Sequence, residues 1–317
     1  MNYKCKICNN ANDNRSFTVR EMMFGFHDEF IYFQCSACGC VQIFEPPESL
    51  DKYYPADKYY SFHLLNKQRN IIGTLFIRLL VKGNILGIVP ENMRYIRQFG
   101  WLPVLKNINK QANILDIGCG SGYLLKEMYL WGFKNLTGID PFIEKEIDDP
   151  TGIKIYKQSV FAHNGKYDFI IMNHSFEHIS NPFETLQKCH ELLAPNGLLL
   201  ISIPVSDSFA YRKYGVNWYQ IDAPRHFFLH TTSSLSLLAK STGFTLETTI
   251  YNSKTAQFLC SEAYQDNNGQ KIHISYQRKR KLRKFVKFLN MLKDGDQASF
   301  LFKKVVCNSD IDNRKNE

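Results

Sequence analysis

The sequence predicts an α/β protein: an open, mostly parallel sheet flanked by helices, with a small metal-stapled module in front. Three observations carry this. An apolar run, Ile114 to Ile117, enters a glycine-dense turn, and a helical pattern starts at Tyr123. A second apolar run, Leu136 to Ile139, ends in an acid, Asp140, 18 residues past Gly122. Near the N-terminus, two Cys-x2-Cys pairs, Cys5/Cys8 and Cys35/Cys38, stand 26 residues apart.

Residues 1–47 read as a zinc-binding module. A two-residue gap lets one turn aim two thiolates at one ion, and two such turns complete a tetrahedron. Gly39 supplies the positive φ that closes the second turn. The aromatic stretch Phe17 to Phe33 suits a hairpin over the metal. Cys40 is a spare ligand at poorer spacing. About 50 residues bury little core, so the ion supplies folding energy. Four thiolates leave no open position, which makes the zinc structural.

Residues 48–108 form an aromatic-rich linker with helices. Tyr53-Tyr54 and Tyr59-Tyr60 read either as packing or as a flap over a ligand. Helical spacing runs from Leu64 to Leu80 and from Glu91 to Leu105. The stretch Ile71 to Val89 is the most apolar, but Arg78 and Lys82 interrupt it. It falls short of the roughly 20 apolar residues of a membrane span. Met1 to Cys5 has no apolar signal core, so a cytoplasmic location is expected.

The loop Asp116-Ile117-Gly118-Cys119-Gly120-Ser121-Gly122 is the sharpest signal in the chain. A dinucleotide fingerprint asks for glycine at 123, where Tyr123 stands. Asp116 would repel a pyrophosphate and attract a cation. S-adenosylmethionine carries an amine and a sulfonium and no phosphate, and Asp140 is placed for a ribose diol. Here the chain resembles the class I S-adenosylmethionine-dependent methyltransferases. The likeness continues through Tyr167 to Asn173, Glu177-His178-Ile179 and Leu192 to Ile201, and spans roughly residues 110–250. It implies a Rossmann-like seven-stranded core over residues 109–251. It also implies cofactor roles for Asp116, Gly118, Gly120, Gly122, Asp140 and Asn173, with Gln158 or Ser159 near the adenine. The cysteine module, the tyrosine-rich linker and Trp218 to His226 together are similar to bacterial methyltransferases of sugar and surface-polysaccharide biosynthesis. That narrower likeness implies a small polar, sugar-like and anionic acceptor. A lipophilic acceptor such as a quinone, a non-catalytic scaffold and a nucleic-acid-binding protein are the alternatives.

Methyl transfer needs a positioned nucleophile and often the loss of a proton. Histidine suits the second task near neutrality. His226 is the first candidate for the base and His178 the second. Tyr219 and Glu177 are candidates to orient base or substrate. Arg225 could pair with a substrate phosphate or make a structural salt bridge.

Thr231 caps a helix that ends at Gly243, and Phe244 to Tyr251 alternates as a strand. A helical insertion, residues 252–297, precedes the last strand and tail, residues 298–317. Its helix, residues 276–292, has Leu282, Phe285, Val286 and Leu289 on one face and cations on the rest. The chain holds 39 Lys+Arg against 30 Asp+Glu, a net of +9. Residues 271–293 carry nine cations and no acid, so the rest is neutral. The charge therefore does not make this a nucleic-acid binder; the amino-methylating DNA enzymes' tetrapeptide is also missing after Asn173. The basic helix reads as a solvated face, a contact with anionic lipid at the inner membrane surface, or a funnel for an anionic substrate.

Overall fold

The structure is a computed structural model and describes residues 3–55, 71–89, 93, 98–266 and 273–305. Tyr59-Tyr60, the start of the Leu64 to Leu80 pattern, most of Glu91 to Gln98 and the last residues of the tail lie outside the described residues.

The N-terminal module holds three strands: β1 (Arg15–Arg20), β2 (Glu29–Gln34) and β3 (Val41–Ile43). β1 and β2 pair as an antiparallel hairpin, and β3 adds to β2. α1 (Ile71–Ile85) follows, with Ile77 and Val81 buried and Ile72, Leu75, Phe76 and Leu79 on its exposed side.

The main sheet begins with β4 (Asn113–Ile117), α2 (Tyr123–Leu130) and β5 (Asn135–Ile139). β6 (Ile147–Asp148), β7 (Lys154–Tyr156), β8 (Tyr167–Asn173), α3 (Pro182–Leu192) and β9 (Leu193–Pro204) come next. After α4 (Phe209–Tyr214), β10 (Phe228–Leu229) and α5 (Thr232–Ser241), β11 (Phe244–Tyr251) returns to the sheet. α6 (Ala256–Asp266) and α7 (Tyr276–Met291) precede β12 (Gln297–Lys304).

The sheet order is β11-β12-β9-β8-β4-β5-β7-β6. β4 is parallel to β5 and β8, so Asp116 aligns with Gly138 and Ile171. The centres of these runs are apolar and buried because both faces are covered. β12 inserts antiparallel between β9 and β11. The sheet has eight strands where seven are expected: β6 is a two-residue antiparallel addition beyond β7. A strand that short has no hydrophobic period to read.

Three other features depart from the sequence reading. The insertion holds a second helix, α6, beside the expected one, and it buries Gln257 and Ser261 as well as Phe258 and Ala263. Polar residues on the buried face blur the apolar period. On α7 only Val286 and Leu289 are buried, while Phe285 stays partly exposed against Phe209. The cysteine module also does not stand apart. Its sheet, β1-β2-β3-β10, is completed by two residues from the far side of the chain, with Phe228 opposite Gln42.

Candidate functional site

At the C-terminal edge of the sheet, the chain leaves β4 through three glycines in the left-handed region, with φ of 74°, 51° and 77° at Gly118, Gly120 and Gly122. Space is as restrictive as conformation. A Cβ at Gly118 would sit 2.5 Å from Ser175 Cβ, and one at Gly122 would sit 2.3 Å from Ile155 Cδ1. The loop is closed on β5 by Gly118 N–H donating to Ile139 O at 2.8 Å. α2 starts at Tyr123 and points its first amides at the loop.

Two buried acids flank this turn. Asp140 accepts from Gly120 N–H at 2.9 Å and from Phe142 N–H at 2.8 Å, one bond on each oxygen. Each oxygen keeps a further lone pair for a hydroxyl. Asp116 is pushed up to about 8 by burial and by the charge of Asp140. A bound cation would oppose both causes by favouring the ionised form. Asn173, at the end of β8, accepts from Trp101 Nε1 at 3.2 Å; no motif links that tryptophan to the site. A ligand with a cationic head and a diol fits these groups.

The second cluster lies two residues beyond Ser175, which abuts Gly118. β8 is followed by a short turn, Phe176–His178, carrying Glu177 and His178. A later turn, Tyr219–Ile221, leads through Asp222 and Arg225 to His226. The donor atoms of Glu177, His178 and His226 lie within 4.8 Å of one another, and the two imidazoles meet edge to face at 4.6 Å. His226 Nδ1 is 2.7 Å from Gln220 O, and His178 Nδ1 is 2.9 Å from Arg225 O and 3.2 Å from Tyr54 Oη. A carbonyl only accepts, so each Nδ1 carries a proton, and the Nε2 of neutral His226 offers a lone pair. Burial, reinforced by His178, holds His226 down at about 4, hence neutral at neutral pH. Asp222 Oδ2 lies 3.7 Å from His226 Nε2, ready to stabilise an imidazolium.

Glu177 is also buried. Burial pushes its carboxyl up, but His174, His178 and His226 pull it down to about 2, so it is ionised. Its Oε2 has no hydrogen-bond partner among the described residues. An acceptor hydroxyl, or a divalent ion on the three donors, would meet that need. Tyr219 begins the turn; its N–H donates to Ser261 Oγ at 3.1 Å and its ring packs on the core.

Arg225 is not a ligand for substrate phosphate. It is fully buried and pairs with Glu21 at 3.2 Å and with Asp222. It also donates to Tyr53 O at 3.1 Å and lies over the Phe24 ring at 4.9 Å. Its donors are taken by acceptors that sequence reasoning missed, because Glu21 stands 204 residues away.

The four predicted cysteines converge. Cys5 and Cys38 Sγ are 3.6 Å apart, Cys8 and Cys35 Sγ 3.5 Å, and all four atoms lie within 4.8 Å of one another. Zn–S bonds of about 2.3 Å in a tetrahedron place sulfurs about 3.8 Å apart, so the set fits zinc. Gln42 Nε2 and Ile7 N–H donate to Cys5 Sγ, as amides do around a bound thiolate. Cys40 turns away, with Sγ near Val41 O and His230 Nδ1.

A further cavity of about 300 Å³ lies between α7 and the loop after β11. Lys254, Arg280, Arg283, Lys284 and Lys287 line it, and among the described residues no acid does. Among the described residues, no helix is long and apolar enough to cross a membrane.

With this geometry in place, comparison with known proteins is informative. The family described as a methyltransferase domain matches residues 91–249. The chain is 33% identical over 119 residues to a ubiquinone biosynthesis O-methyltransferase of Actinobacillus pleuropneumoniae, covering 31% of this chain and 50% of that protein. It is 32% identical over 128 residues to the protein of the same name from Colwellia psychrerythraea, covering 36% and 52%. The chain thus spans about half the length of the curated relatives it matches. Among solved structures, it resembles a SAM-dependent methyltransferase from Archaeoglobus fulgidus. The TM-score is 0.45 and the identity 20%, covering 71% of this chain and 99% of that one.

Proposed function

Because the chain belongs to the methyltransferase-domain family, we propose that it transfers a methyl group from S-adenosylmethionine to a small polar acceptor. The observation that carries this is the pair of buried acids, Asp116 and Asp140, set on either side of three left-handed glycines. Asp140 would hold the ribose diol, Asp116 the cationic head, the Gly118–Gly122 backbone the close approach, and Asn173 the far side. Bound there, the cofactor supplies a methyl on a sulfonium, ready for in-line displacement.

The residues of this chain do the rest. Glu177 and His178 hold the acceptor hydroxyl beside the glycine loop, and His226 Nε2 takes its proton. Asp222 steadies the imidazolium formed, and Tyr219 orients the acceptor. Isothermal titration tests the first half: S-adenosylmethionine binds the intact chain, and no detectable binding would refute the reading.

A sugar-like, nucleotide-linked acceptor of surface-polysaccharide biosynthesis is the narrower proposal. Its support is the likeness of the cysteine module and of Trp218 to His226 to enzymes of that chemistry. A lipophilic phenol such as a quinone precursor is the second reading. The names of the ubiquinone-biosynthesis relatives favour it, as does the Tyr54–Phe142 ring stack at 6.2 Å, which borders His178. Labelled methyl transfer to a panel of nucleotide sugars and phenols separates the two.

We also propose structural Zn2+ on Cys5, Cys8, Cys35 and Cys38. Elemental analysis should give one zinc per chain; a second ion would reassign Glu177, His178 and His226 as metal ligands. For residues 276–292 we propose peripheral contact with anionic lipid from a cytoplasmic location. The cation-lined cavity and the exposed Phe288, Met291 and Leu292 support it. Cosedimentation with anionic but not neutral vesicles is the expected result.

A further inference from the structure

We propose that the cysteine module is a positioning element of the active site, acting through Tyr32 and Glu21, so that the histidine pair is assembled only when the module is docked. The inference rests on the reading of His226 as the base.

The geometry is direct. Tyr32, on β2 of the module, is fully buried, and its hydroxyl donates to the backbone carbonyl of His226 at 2.9 Å. His226 is then held at three points: its carbonyl by Tyr32, its N–H by Asp222 O at 3.3 Å, and its ring by Gln220 O. The residue before it carries the second link. The Arg225 guanidinium is fixed by Glu21 of the module, and the Arg225 carbonyl accepts from His178 Nδ1. One module therefore fixes the backbone that orients both imidazoles.

Three more contacts run along the same seam. Ile43 N–H donates to Phe227 O at 3.1 Å, Phe228 and Leu229 join β3 as a strand, and Thr231 Oγ1 donates to Cys38 O at 2.7 Å. The last contact joins the second cysteine knuckle to the end of the His226 segment. By contrast, the glycine loop and Asp140 are held by β4, β5, β7 and β8, with Asp140 N–H donating to Tyr156 O at 3.1 Å and no hydrogen bond to the module among those described. Cofactor binding and acceptor activation are therefore separable by design of the fold.

The obvious alternative is that the seam only adds stability. Tyr32→Phe discriminates, because it removes one hydroxyl and keeps the ring. Expected is a fall in kcat of about ten- to hundredfold, the scale of a misplaced catalytic group. The cofactor Kd should stay within twofold and the thermal midpoint fall by only about 2–4 °C. In a His226→Asn background the same change should cost less than about twofold, because the residue it positions is gone. Glu21→Gln should behave likewise against His178→Asn. Unchanged kcat in Tyr32→Phe, or additive losses in the double variants, overturns the positioning role. Full activity in His226→Asn alone overturns the base assignment instead. As a second readout, stripping zinc from the intact chain should leave titratable cofactor binding; loss of that binding would overturn the separation.

Discussion

The cofactor end of the site comes mainly from one stretch of 25 residues, Asp116 to Asp140, with Asn173 added from the end of β8, whereas the acceptor end draws on separate segments from Glu21 to His226. The first is a strand, a turn, a helix and a strand, and each part positions the next through the backbone. The second has no such continuity. Glu177 and His178 follow β8, His226 lies 48 residues after His178 and follows the turn Tyr219–Ile221, and Tyr32 and Glu21 arrive from the N-terminal module. A fold can thus keep its cofactor machinery constant while the acceptor end changes with the segments laid over it.

The largest effect should come from cutting the acceptor end at its centre. His226→Asn keeps an N–H donor for Gln220 O, the amide Nδ2 in place of the ring Nδ1, but removes the Nε2 lone pair. General-base losses run about 10²–10⁴ in kcat, and titrated cofactor affinity should not move. A parallel loss of cofactor binding would mean the two ends are one unit.

Next in size is the buried ion pair. Arg225→Met leaves Glu21 and Asp222 as buried carboxylates without their cation, and breaking such a pair costs about 3–5 kcal/mol. Denaturant melts read this directly. A cost under about 1 kcal/mol, typical of an exposed pair, would show that the seam opens to water.

The opposite cut is at the cofactor end. Asp140→Ala removes a charged acceptor for two hydroxyls, each worth about 1.5–3 kcal/mol. Cofactor affinity should fall at least about hundredfold. Crosslinking of Cys5, Cys8, Cys35 and Cys38 by zinc should be untouched, since among the described residues the hydrogen bonds of Asp140 run to Gly120, Phe142 and Tyr156, none of them in the cysteine module. Loss of zinc in this variant would break the comparison from the other side.

The same contrast decides what was legible before any coordinates. Asp116, the glycines and Asp140 are read from spacing, because a strand–turn–helix fixes their geometry within one segment. The Cys-x2-Cys pairs are legible for the same reason, each pair being one turn. Glu177, His178 and His226 can be picked out by residue type and by their place at strand ends. Their shared cluster needs the fold. Glu21, Tyr32 and Asp222 gave no signal: an acid in a β-turn region and a tyrosine on a strand look like surface and core. Arg225 shows the cost of reading charge without burial, since a substrate-phosphate role and a buried pair share one sequence. The two-residue β6 and the polar buried face of α6 escaped because neither has an apolar period.

The smallest effect is also the most selective. Asp116 sits at about 8, raised by burial and by Asp140, with Cys119 as the other titratable neighbour. An acid with a raised value is protonated below it, and a cationic ligand favours the ionised form, so binding pulls the value down and releases a proton. Affinity for S-adenosylmethionine should therefore weaken as pH falls below about 8, by about tenfold per unit, until the pH drops below the value in the complex. Titration calorimetry between pH 6 and about 7.5 in buffers of different ionisation enthalpy measures both the slope and the proton released. Asp116→Asn should flatten the slope and abolish the release, while leaving the histidine pair and the zinc module as they are. A wild-type affinity that is flat across this range would place the cationic head elsewhere, and Asp116 would then be a structural acid beneath the loop.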